Sequence, residues 1–507
     1  MRAGLARAAS ALLAAACLAG AAQAQWRAPR PRPVSVPVNL LALDVAQAPA
    51  LLLTVDDGRS GQELWRVDPD TLQASLVADI RPGELGSHPS QPVRFGDSAC
   101  FAANDGRTGY ELWCSDGRTE GTRRVADIHP GPGDSVPTAL TVLGPQLVFV
   151  ADDGAHGFEL WRSDGTAAGT RLLADLQPGA AGANPRELTR VGQRLFFVAD
   201  DGRHGAELWV TDGSSAGTRL VRDIHPGPAA SAPTRLTAVG DRLFFVASDG
   251  RHGHALWTSD GTAAGTRLVR DFRHAAAGMR PTHLVARGQR LYFAADDGRS
   301  GVELWTSDGS RRGTRRVADI HAGPGHALPS HLTVAAGALL FAATDGHGPV
   351  RLWRSDGTAA GTRPVAGPMA DAAAALAARQ QASEDAPVRL AVPGGEVPNR
   401  LHADGTRLLY AAMDDAAGYE LWTSDGSAAG TRRLADLAPG PADSFPHQFT
   451  RLGARLFFVA DDAQGHTALW CEQADGRIAR VALPKATAGA GTGDAAAVPD
   501  APLRPGA

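Results

Sequence analysis

A tryptophan returns at a fixed interval along almost the whole chain. Trp65 to Trp353 contribute seven copies spaced 48 residues apart, an eighth follows after 21 extra residues, and the ninth lies 48 residues further on. A period of this length indicates a supersecondary unit that cannot bury its apolar side alone and packs against copies of itself. We expect a structural role for the nine repeat tryptophans, which are Trp65, Trp113, Trp161, Trp209, Trp257, Trp305, Trp353, Trp422 and Trp470.

Each repeat has the pattern of four short β-strands. In the copy that begins at Pro233, four apolar runs are separated by Gly and Asp residues and show no helical periodicity. Residues Leu243 to Ala247 are all apolar, which suits a strand covered on both faces. Asp-Gly pairs such as Asp249-Gly250 supply the positive φ of tight hairpin turns. The repeat therefore predicts an all-β fold, a β-propeller of nine four-stranded blades.

The number of blades and the closure of the ring leave alternatives open. A first inner strand at 36–43 and a last outer strand at 478–483 give nine complete blades. Eight blades with irregular ends, or a ring whose termini share one blade, fit the same pattern. A solenoid is the main rival architecture, but long parallel β-helices use shorter coils and helical repeats need a periodicity that this sequence lacks.

The segments outside the repeats suggest export. Residues 1–24 resemble a secretory signal peptide cleaved before Gln25, and a lipoprotein anchored at Cys17 is the alternative. Residues 25–36 form a Pro/Arg-rich linker, 37–484 hold the repeats, and 485–507 lack core-forming residues and are expected to be disordered. An insertion at 366–398, with an expected short helix at 369–381, falls between an outer strand and the next inner strand, and therefore over one mouth of the ring.

Charge and cysteine content narrow the possible partners. Carboxylates outnumber basic residues, so the chain is not expected to bind nucleic acid, and no segment after the signal is long and apolar enough to span a membrane. We expect a monomer that is secreted, periplasmic or held at the cell surface. Cys100 and Cys114 flank one predicted hairpin and are either bridged or buried as small apolar residues, whereas Cys471 has no obvious mate.

The segment 159–166, ELWRSDGT, resembles the signature of the ELWxxDGT repeat family of secreted bacterial proteins, which are expected to be propellers and have no settled activity. The resemblance covers about residues 37–484, and the order of strands is also similar to that of TolB-type propellers. The last copy departs with Gln473 in place of the aspartate. Three copies lack the motif's glutamate and have Ala255, Arg351 or Ala468 instead.

A second resemblance concerns the tryptophans. The segment 103–113 is similar to the tryptophan-docking motif of quinoprotein dehydrogenases, in which the indole wedges between neighbouring blades. This similarity implies that the nine repeat tryptophans are spacers between blades. A quinoprotein site also needs a vicinal disulfide, and the absence of adjacent cysteines in the sequence argues against a quinone enzyme.

Acidic and histidine residues recur in the predicted turns and are candidate metal ligands. Carboxylates grouped in a turn can bind calcium, but Asp before Gly is also ordinary turn capping, which we favour because the spaced DxDxDG loop is missing. His129, His225 and His321 lie in turns of alternate copies, and we expect them to be solvated rather than to share a metal. The candidate calcium ligands are Asp152, Asp153, Asp200, Asp201, Asp296 and Asp297.

Other candidate binding residues are aromatic or depart from the repeat. Tyr110, Phe158 and Tyr419 precede their tryptophans by three places, and they either stack on a sugar or pack at the strand start. A cluster under the insertion is also expected where the repeat is most degenerate, and its members are Glu396, Arg400, His402 and Asp404.

The regularity of the repeats favours a binding function over catalysis, because a catalytic site needs residues that break the pattern. No GxSxG elbow singles out a nucleophile, and we assign no catalytic residue. We interpret the chain as a secreted, non-catalytic scaffold that binds a protein or a cell-envelope polysaccharide. The alternatives are an extracellular polysaccharide lyase or hydrolase with its site at the channel mouth, and a structural envelope protein stiffened by calcium.

Overall fold

The computed structural model describes residues 38–43, 49–272, 280–348, 350–365, 399–414 and 417–484. Within these ranges the chain forms 36 β-strands in nine antiparallel sheets of four consecutive strands, and no helix. The sheets are the blades of a nine-bladed β-propeller, numbered here from 1 to 9 along the chain. The proposed signal, the linker, the insertion at 366–398 with its expected helix, and the tail from 485 onwards lie outside the described residues.

The two inner strands of each blade are regular. The innermost strands are β1 (Val38–Leu43), β5 (Ser90–Phe95), β9 (Thr138–Leu143), β13 (Arg186–Val191), β17 (Thr234–Val239), β21 (Thr282–Arg287), β25 (Ser330–Ala335), β29 (Asn399–Asp404) and β33 (His447–Leu452). The second strands are β2 (Ala50–Asp56), β6 (Ser98–Asn104), β10 (Gln146–Asp152), β14 (Arg194–Asp200), β18 (Arg242–Ser248), β22 (Arg290–Asp296), β26 (Ala338–Ala343), β30 (Arg407–Asp414) and β34 (Arg455–Asp461).

The third strand carries the repeat tryptophan, and the outer strand is short. The third strands are β3 (Gln62–Val67), β7 (Tyr110–Ser115), β11 (Phe158–Ser163), β15 (Ala206–Thr211), β19 (His254–Ser259), β23 (Val302–Ser307), β27 (Arg351–Ser355), β31 (Gly418–Ser424) and β35 (Thr467–Glu472). The outer strands are β4 (Ala74–Ala78), β8 (Arg123–Arg124), β12 (Arg171–Ala174), β16 (Arg219–Arg222), β20 (Arg267–Arg270), β24 (Arg315–Arg316), β28 (Arg363–Pro364), β32 (Arg432–Ala435) and β36 (Ile478–Arg480).

The alternation of strand direction gives the ring two distinct faces. The connection face carries the turns between second and third strands together with the segments that join one blade to the next. The turn face carries the turns between first and second strands and between third and fourth strands. β28, which precedes residues 366–398, ends at the connection face, and β29, which follows them, begins there.

The second strands form the centre of each blade. The run Leu243 to Ala247 in β18 is completely or almost completely buried, as its unbroken apolar sequence predicts for a strand covered on both faces. The equivalent strands β10, β14 and β34 show the same pattern of five buried residues between two partly exposed ends.

Each inner strand for which backbone angles are described contains a β-bulge at its second residue. A register shift follows this position, and the residue adopts a positive φ although it is not glycine. Such residues are strained unless their surroundings hold them in place. They are Asn39, Gln91, Ala139, Glu187, Arg235, His283, His331 and Gln448.

The tryptophans lie at the interfaces between blades. Trp257 of blade 5 belongs to one apolar cluster with Phe196 and Leu208 of blade 4, and Trp305 of blade 6 packs in the same way with Phe244 of blade 5. Eight of the nine indoles are 2–8% exposed, and Trp113 is partly buried. A wedge of this size separates adjacent sheets by filling the space between them.

The ring closes without a shared blade. Blade 1 consists of the first four strands and blade 9 of the last four, so the alternative in which both termini build one blade is wrong. The closing interface resembles those between consecutive blades, since Trp65 packs with Phe457 and Leu469 of blade 9. Two main-chain hydrogen bonds between 72–74 and Ala482 add a short parallel bridge at the outer side.

One disulfide crosses blade 2. Cys100 and Cys114 are register partners in β6 and β7 and are bridged, which decides between the two possibilities that the sequence left open. Both cysteines are buried, and they contribute to the apolar cluster that also holds Trp161 of blade 3. Cys471 is a buried free thiol whose pKa is raised to about 12 by its burial.

Candidate binding surface

The loops of the connection face are fixed by the glutamate of the ELW segment. Glu207 is fully buried at the start of its third strand, and its carboxylate accepts hydrogen bonds from the N–H groups of Ile224 (3.1 Å), His225 (3.3 Å) and Ser231 (2.9 Å). The hydroxyl of Ser231 also donates to it at 2.7 Å. One side chain thus accepts four hydrogen bonds from a single connecting segment.

Contacts of the same kind, with two to four donors, recur in the other copies that have the glutamate. The donors lie among the residues 17, 18 and 24 positions later, as in Glu111 with Ile128 and the hydroxyl of Ser135, both at 2.8 Å. Glu303 accepts from the N–H of Ile320 at 2.9 Å. The fully buried members of this set are Glu63, Glu111, Glu159, Glu207, Glu303 and Glu420.

Burial also changes the acidity of these glutamates. Loss of solvation raises the pKa of Glu111, Glu303 and Glu420 to about 7, against the opposing effect of the N–H donors. The same cause raises the pKa of Glu63, Glu159 and Glu207. Burial thus disfavours the charged form of all six carboxyl groups beneath the connection face.

The sequence shows that three copies lack the glutamate of the ELW segment, and the structure explains why these three copies do without it. Ala255 is followed by a segment that lacks the usual Pro-Gly pair, Arg351 is followed by the insertion, and Ala468 lies in the last blade, after which no connection follows. The glutamate is thus kept where a regular connection needs an acceptor. In the sequence, the glutamate and the regular connecting segment occur together, and this co-occurrence could have predicted that the glutamate binds the connecting segment.

The predicted calcium ligands act as caps of their own turns. Oδ1 of Asp153 accepts the N–H groups of Ala155 and His156, both at 2.9 Å, and its other oxygen lies 2.8 Å from Nδ1 of His156. Oδ1 of Asp152 accepts from Gly154 at 2.7 Å. Asp200, Asp201, Asp296 and Asp297 have equivalent contacts. Among the described residues, no three His, Cys, Asp or Glu side chains are grouped as a metal site.

The three loop histidines, His129, His225 and His321, are half-buried. A Cβ placed on Gly154 would meet the ring of His129, and His225 and His321 stand in the same way against Gly250 and Gly346. Each imidazole therefore packs on the Asp-Gly turn of the following blade, where only glycine leaves room. They form contacts between adjacent blades, and they do not meet one another.

The connection face carries most of the exposed apolar side chains. Among the described residues the exposed large ones are Leu76, Leu85 (66%), Val136 (37%), Leu328 (52%) and Phe445 (44%). All except Leu76, which lies in the outer strand β4, belong to segments that connect blades. These four side chains belong to four different connecting segments, and they place exposed apolar groups at several points around one face of the ring.

Three of these residues occupy the same position of the repeat. Val136, Leu328 and Phe445 each precede a proline and adopt a positive φ of 44°, 50° and 44°. The N–H groups of Val136 and Leu328 donate to Tyr110 (3.1 Å) and Val302 (3.2 Å), the first residues of the third strands. A strained conformation is thus maintained by hydrogen bonds while the apolar side chain stays exposed.

Two of the predicted aromatic residues contribute to this surface, and the third packs beside it. Tyr419 is buried and stacks on the exposed Phe445 with ring centroids 5.5 Å apart. Tyr110 is half-buried beside Val136, and burial raises the pKa of its phenol. Phe158 is half-buried, and its neighbour in the connection is the polar Asn184, whose N–H it accepts.

The structure does not bring the four candidates near the insertion into one cluster. Glu396 and the side chain of Arg400 lie outside the described residues. His402 stacks on Phe449 of blade 9 with centroids 5.4 Å apart. Asp404 ends β29 at the turn face, where Arg407 and Arg451 pair with it. Asp404 therefore belongs to an ion-pair network between blades 8 and 9, far from the ends of the insertion.

Comparisons with known proteins carry no argument about the fold or the function of this chain. No family model and no curated protein sequence matches the chain. The solved puromycin hydrolase S511A mutant complexed with PGG is 16% identical, with a TM-score of 0.36 over 76% of this chain and 58% of that chain. The chain thus spans less than two thirds of that structure.

Two further solved structures cover a larger share of their own chains. The β-propeller domain of the Trilobed protease from Pyrococcus furiosus is 13% identical, with a TM-score of 0.33 over 69% of this chain and 98% of that one. TolB from Acinetobacter baumannii is 14% identical, with a TM-score of 0.28 over 66% and 78%. These values are too low to carry an argument about fold or function, and the order of strands in the chain itself establishes the propeller.

Proposed function

We propose that the protein is a secreted, non-catalytic β-propeller of the ELWxxDGT repeat class that binds a protein or a cell-envelope polysaccharide on its connection face. The observation that carries this proposal is the set of exposed apolar side chains on that face, three of which stand on strained, hydrogen-bonded backbone. The buried glutamates beneath them keep the loops in one arrangement, and a preorganised surface loses less entropy when it binds.

Two features support a location outside the cytoplasm. The disulfide between Cys100 and Cys114 is of the kind that persists in oxidising compartments, and residues 1–24 have the pattern of a signal peptide. Separately, the described ranges contain no helix that could cross a membrane, and this finding does not bear on the location. We propose a periplasmic, cell-surface or fully secreted protein.

The test uses the purified mature chain on an array of cell-envelope polysaccharides and protein partners. A triple variant Val136→Ser, Leu328→Ser and Phe445→Ser removes the apolar groups of the connection face. Leu76→Ser is the matched control, because Leu76 is equally apolar and exposed but lies in an outer strand. We expect the triple variant to lose the ligand that the native chain captures, and the control to retain it.

Two results would contradict the proposal. Equal capture by the native chain and the triple variant would show that the connection face is not the binding surface. New reducing ends or unsaturated sugar ends in a polysaccharide incubated with the native chain would show that the protein is a hydrolase or a lyase. Circular dichroism of each variant establishes that it is folded before binding is compared.

A further inference from the structure

The turn face departs from the repeat most strongly in blade 6. The turn between the third and outer strands contains two small residues in most blades, such as Ala263-Ala264 in blade 5. Blade 6 has Arg311-Arg312 at these positions, and both side chains are exposed. A pair of arginines that breaks an otherwise regular pattern is not required by the fold, since the neighbouring blades form the same turn without it.

A second arginine pair lies on the same face of blade 6. Arg287 and Arg290 are direct register partners at the ends of β21 and β22. In blade 5 the same pair is Val239 with Arg242, and in blade 8 an aspartate stands opposite the arginine. Like charges directly opposite each other destabilise a sheet, so this pairing carries a cost in blade 6 that the other blades avoid.

The arginines of this sector have little carboxylate to neutralise them. Asp308 lies 3.9 Å from Arg290, and it is the one carboxylate within 4 Å of the group among the described residues. Arg287 donates to the carbonyl oxygens of Gly337 and Asp356 in blade 7, and it also interacts electrostatically with the carboxylate of Asp356. Two aspartates, Asp308 and Asp356, therefore oppose the charge of five arginines. The group consists of Arg287, Arg290, Arg311, Arg312 and Arg315.

Other arginines of the turn face serve to join blades. The first residue of the outer strand donates to a glycine carbonyl of the next blade, as in Arg123 with Gly165 (2.9 Å) and Arg219 with Gly261 (2.7 Å). Arg315 holds the same position in blade 6, but no such bond to Gly357 occurs in the described part of the chain. The guanidinium of Arg315 is exposed and remains available to a ligand.

We infer that the turn face of blade 6 is a binding site for an acidic polysaccharide. The five guanidinium groups follow the blade from its innermost strand to its outer strand, and strands lie ~4.8 Å apart, so the row is ~14 Å long. A linear polymer with regularly spaced carboxylate or sulfate groups matches such a row. Guanidinium binds these planar or branched oxyanions through paired hydrogen bonds, which a lysine cannot form.

The surroundings of the row favour a polysaccharide over other polyanions. A membrane surface is planar and would contact all nine blades, whereas the charge excess is concentrated in one. Single-stranded nucleic acid is bound by aromatic side chains that stack on bases, and the exposed aromatic residue of the described part, Phe445, lies on the connection face. The site is independent of the proposed connection-face function, and either can fail without the other.

The test measures binding of polygalacturonate, dextran sulfate and neutral dextran to the mature full-length chain at about 50 and about 200 mM salt. Arg311→Ala with Arg312→Ala restores the Ala-Ala sequence of blade 5 and therefore preserves the turn. Arg118→Ala with Arg432→Ala is the control, because it removes the same charge from two exposed arginines at the turn face of blades 2 and 8.

We expect the Arg311/Arg312 variant to bind at least one of the two anionic polymers about ten-fold more weakly and with a smaller salt dependence, and the control to bind as the native chain does. Preference for one polymer identifies the anion as carboxylate or sulfate. Equal losses in both variants, binding of neutral dextran with the same affinity, or tighter binding of duplex DNA or of phosphatidylglycerol vesicles at the same salt concentration would overturn the proposal.

Discussion

Removal of one buried glutamate should release one connecting segment of the ring. In Glu207→Ala, three buried N–H groups and the hydroxyl of Ser231 lose their acceptor. A buried donor without a partner costs ~1–3 kcal/mol, and water that enters the site recovers part of this, so we expect a loss of ~3–5 kcal/mol. Because Glu207 belongs to a single blade connection, the loss should be local.

Hydrogen exchange measures this loss where it occurs. Stability in repeat architectures is distributed over many units, so a global unfolding midpoint is less informative than the amides of 224–231. A local loss of 3 kcal/mol corresponds to exchange that is about 10²-fold faster. Glu120→Ala is the control, since Glu120 is exposed in a turn. The same exchange rates in both variants would refute the anchoring role of the buried glutamate.

Four further outcomes test the structure. Burial raises the pKa of Glu111, Glu303 and Glu420 to about 7. Each group contributes its full stability below its pKa in the unfolded chain, and this contribution is lost as the pH rises through 7. The melting temperature should therefore fall from pH 5 to pH 8, and it should fall less in Glu303→Gln. Trp257→Ala should lose ~3–5 kcal/mol in denaturant unfolding, and a loss below 1 kcal/mol would contradict its role as a wedge. Cys114→Ala should lower the melting temperature under oxidising conditions and leave no further effect of reductant. Deletion of 368–396 should leave the melting temperature nearly unchanged and abolish ligand capture on the array, and unchanged capture would place the ligand elsewhere.

The sequence was sufficient to predict the architecture because the relevant signals are local. The 48-residue period defines the unit, the apolar run of β18 predicts a strand buried on both sides, and Asp-Gly pairs mark its turns. The closure of the ring was not predictable in the same way. Whether the termini share a blade depends on contacts between residues about 400 positions apart, such as Trp65 and Leu469.

The sequence predicted on which face of the ring the candidate surface lies, but not which residues form it. The connection face follows from the order of strands, but the exposed Leu328 and Phe445 look like core residues in the sequence, since exposure depends on the strained backbone that carries them. Asp404 does not join a cluster with Arg400 because it is the last residue of the six-residue strand β29, which begins at the connection face and ends at the turn face. Residues that are close in the sequence can thus lie on opposite faces of the ring when an extended strand separates them.

The way in which blades 1 and 9 meet has an evolutionary consequence. In some propellers the first and last segments of the chain build one blade together, and that shared blade must be preserved when a repeat is gained or lost. Here the junction is built like the interfaces between consecutive blades, with Trp65 against the last blade as Trp257 stands against blade 4. Duplication or loss of one 48-residue segment of coding sequence therefore yields a chain whose ends still match, and rings of different diameter become accessible in single genetic steps.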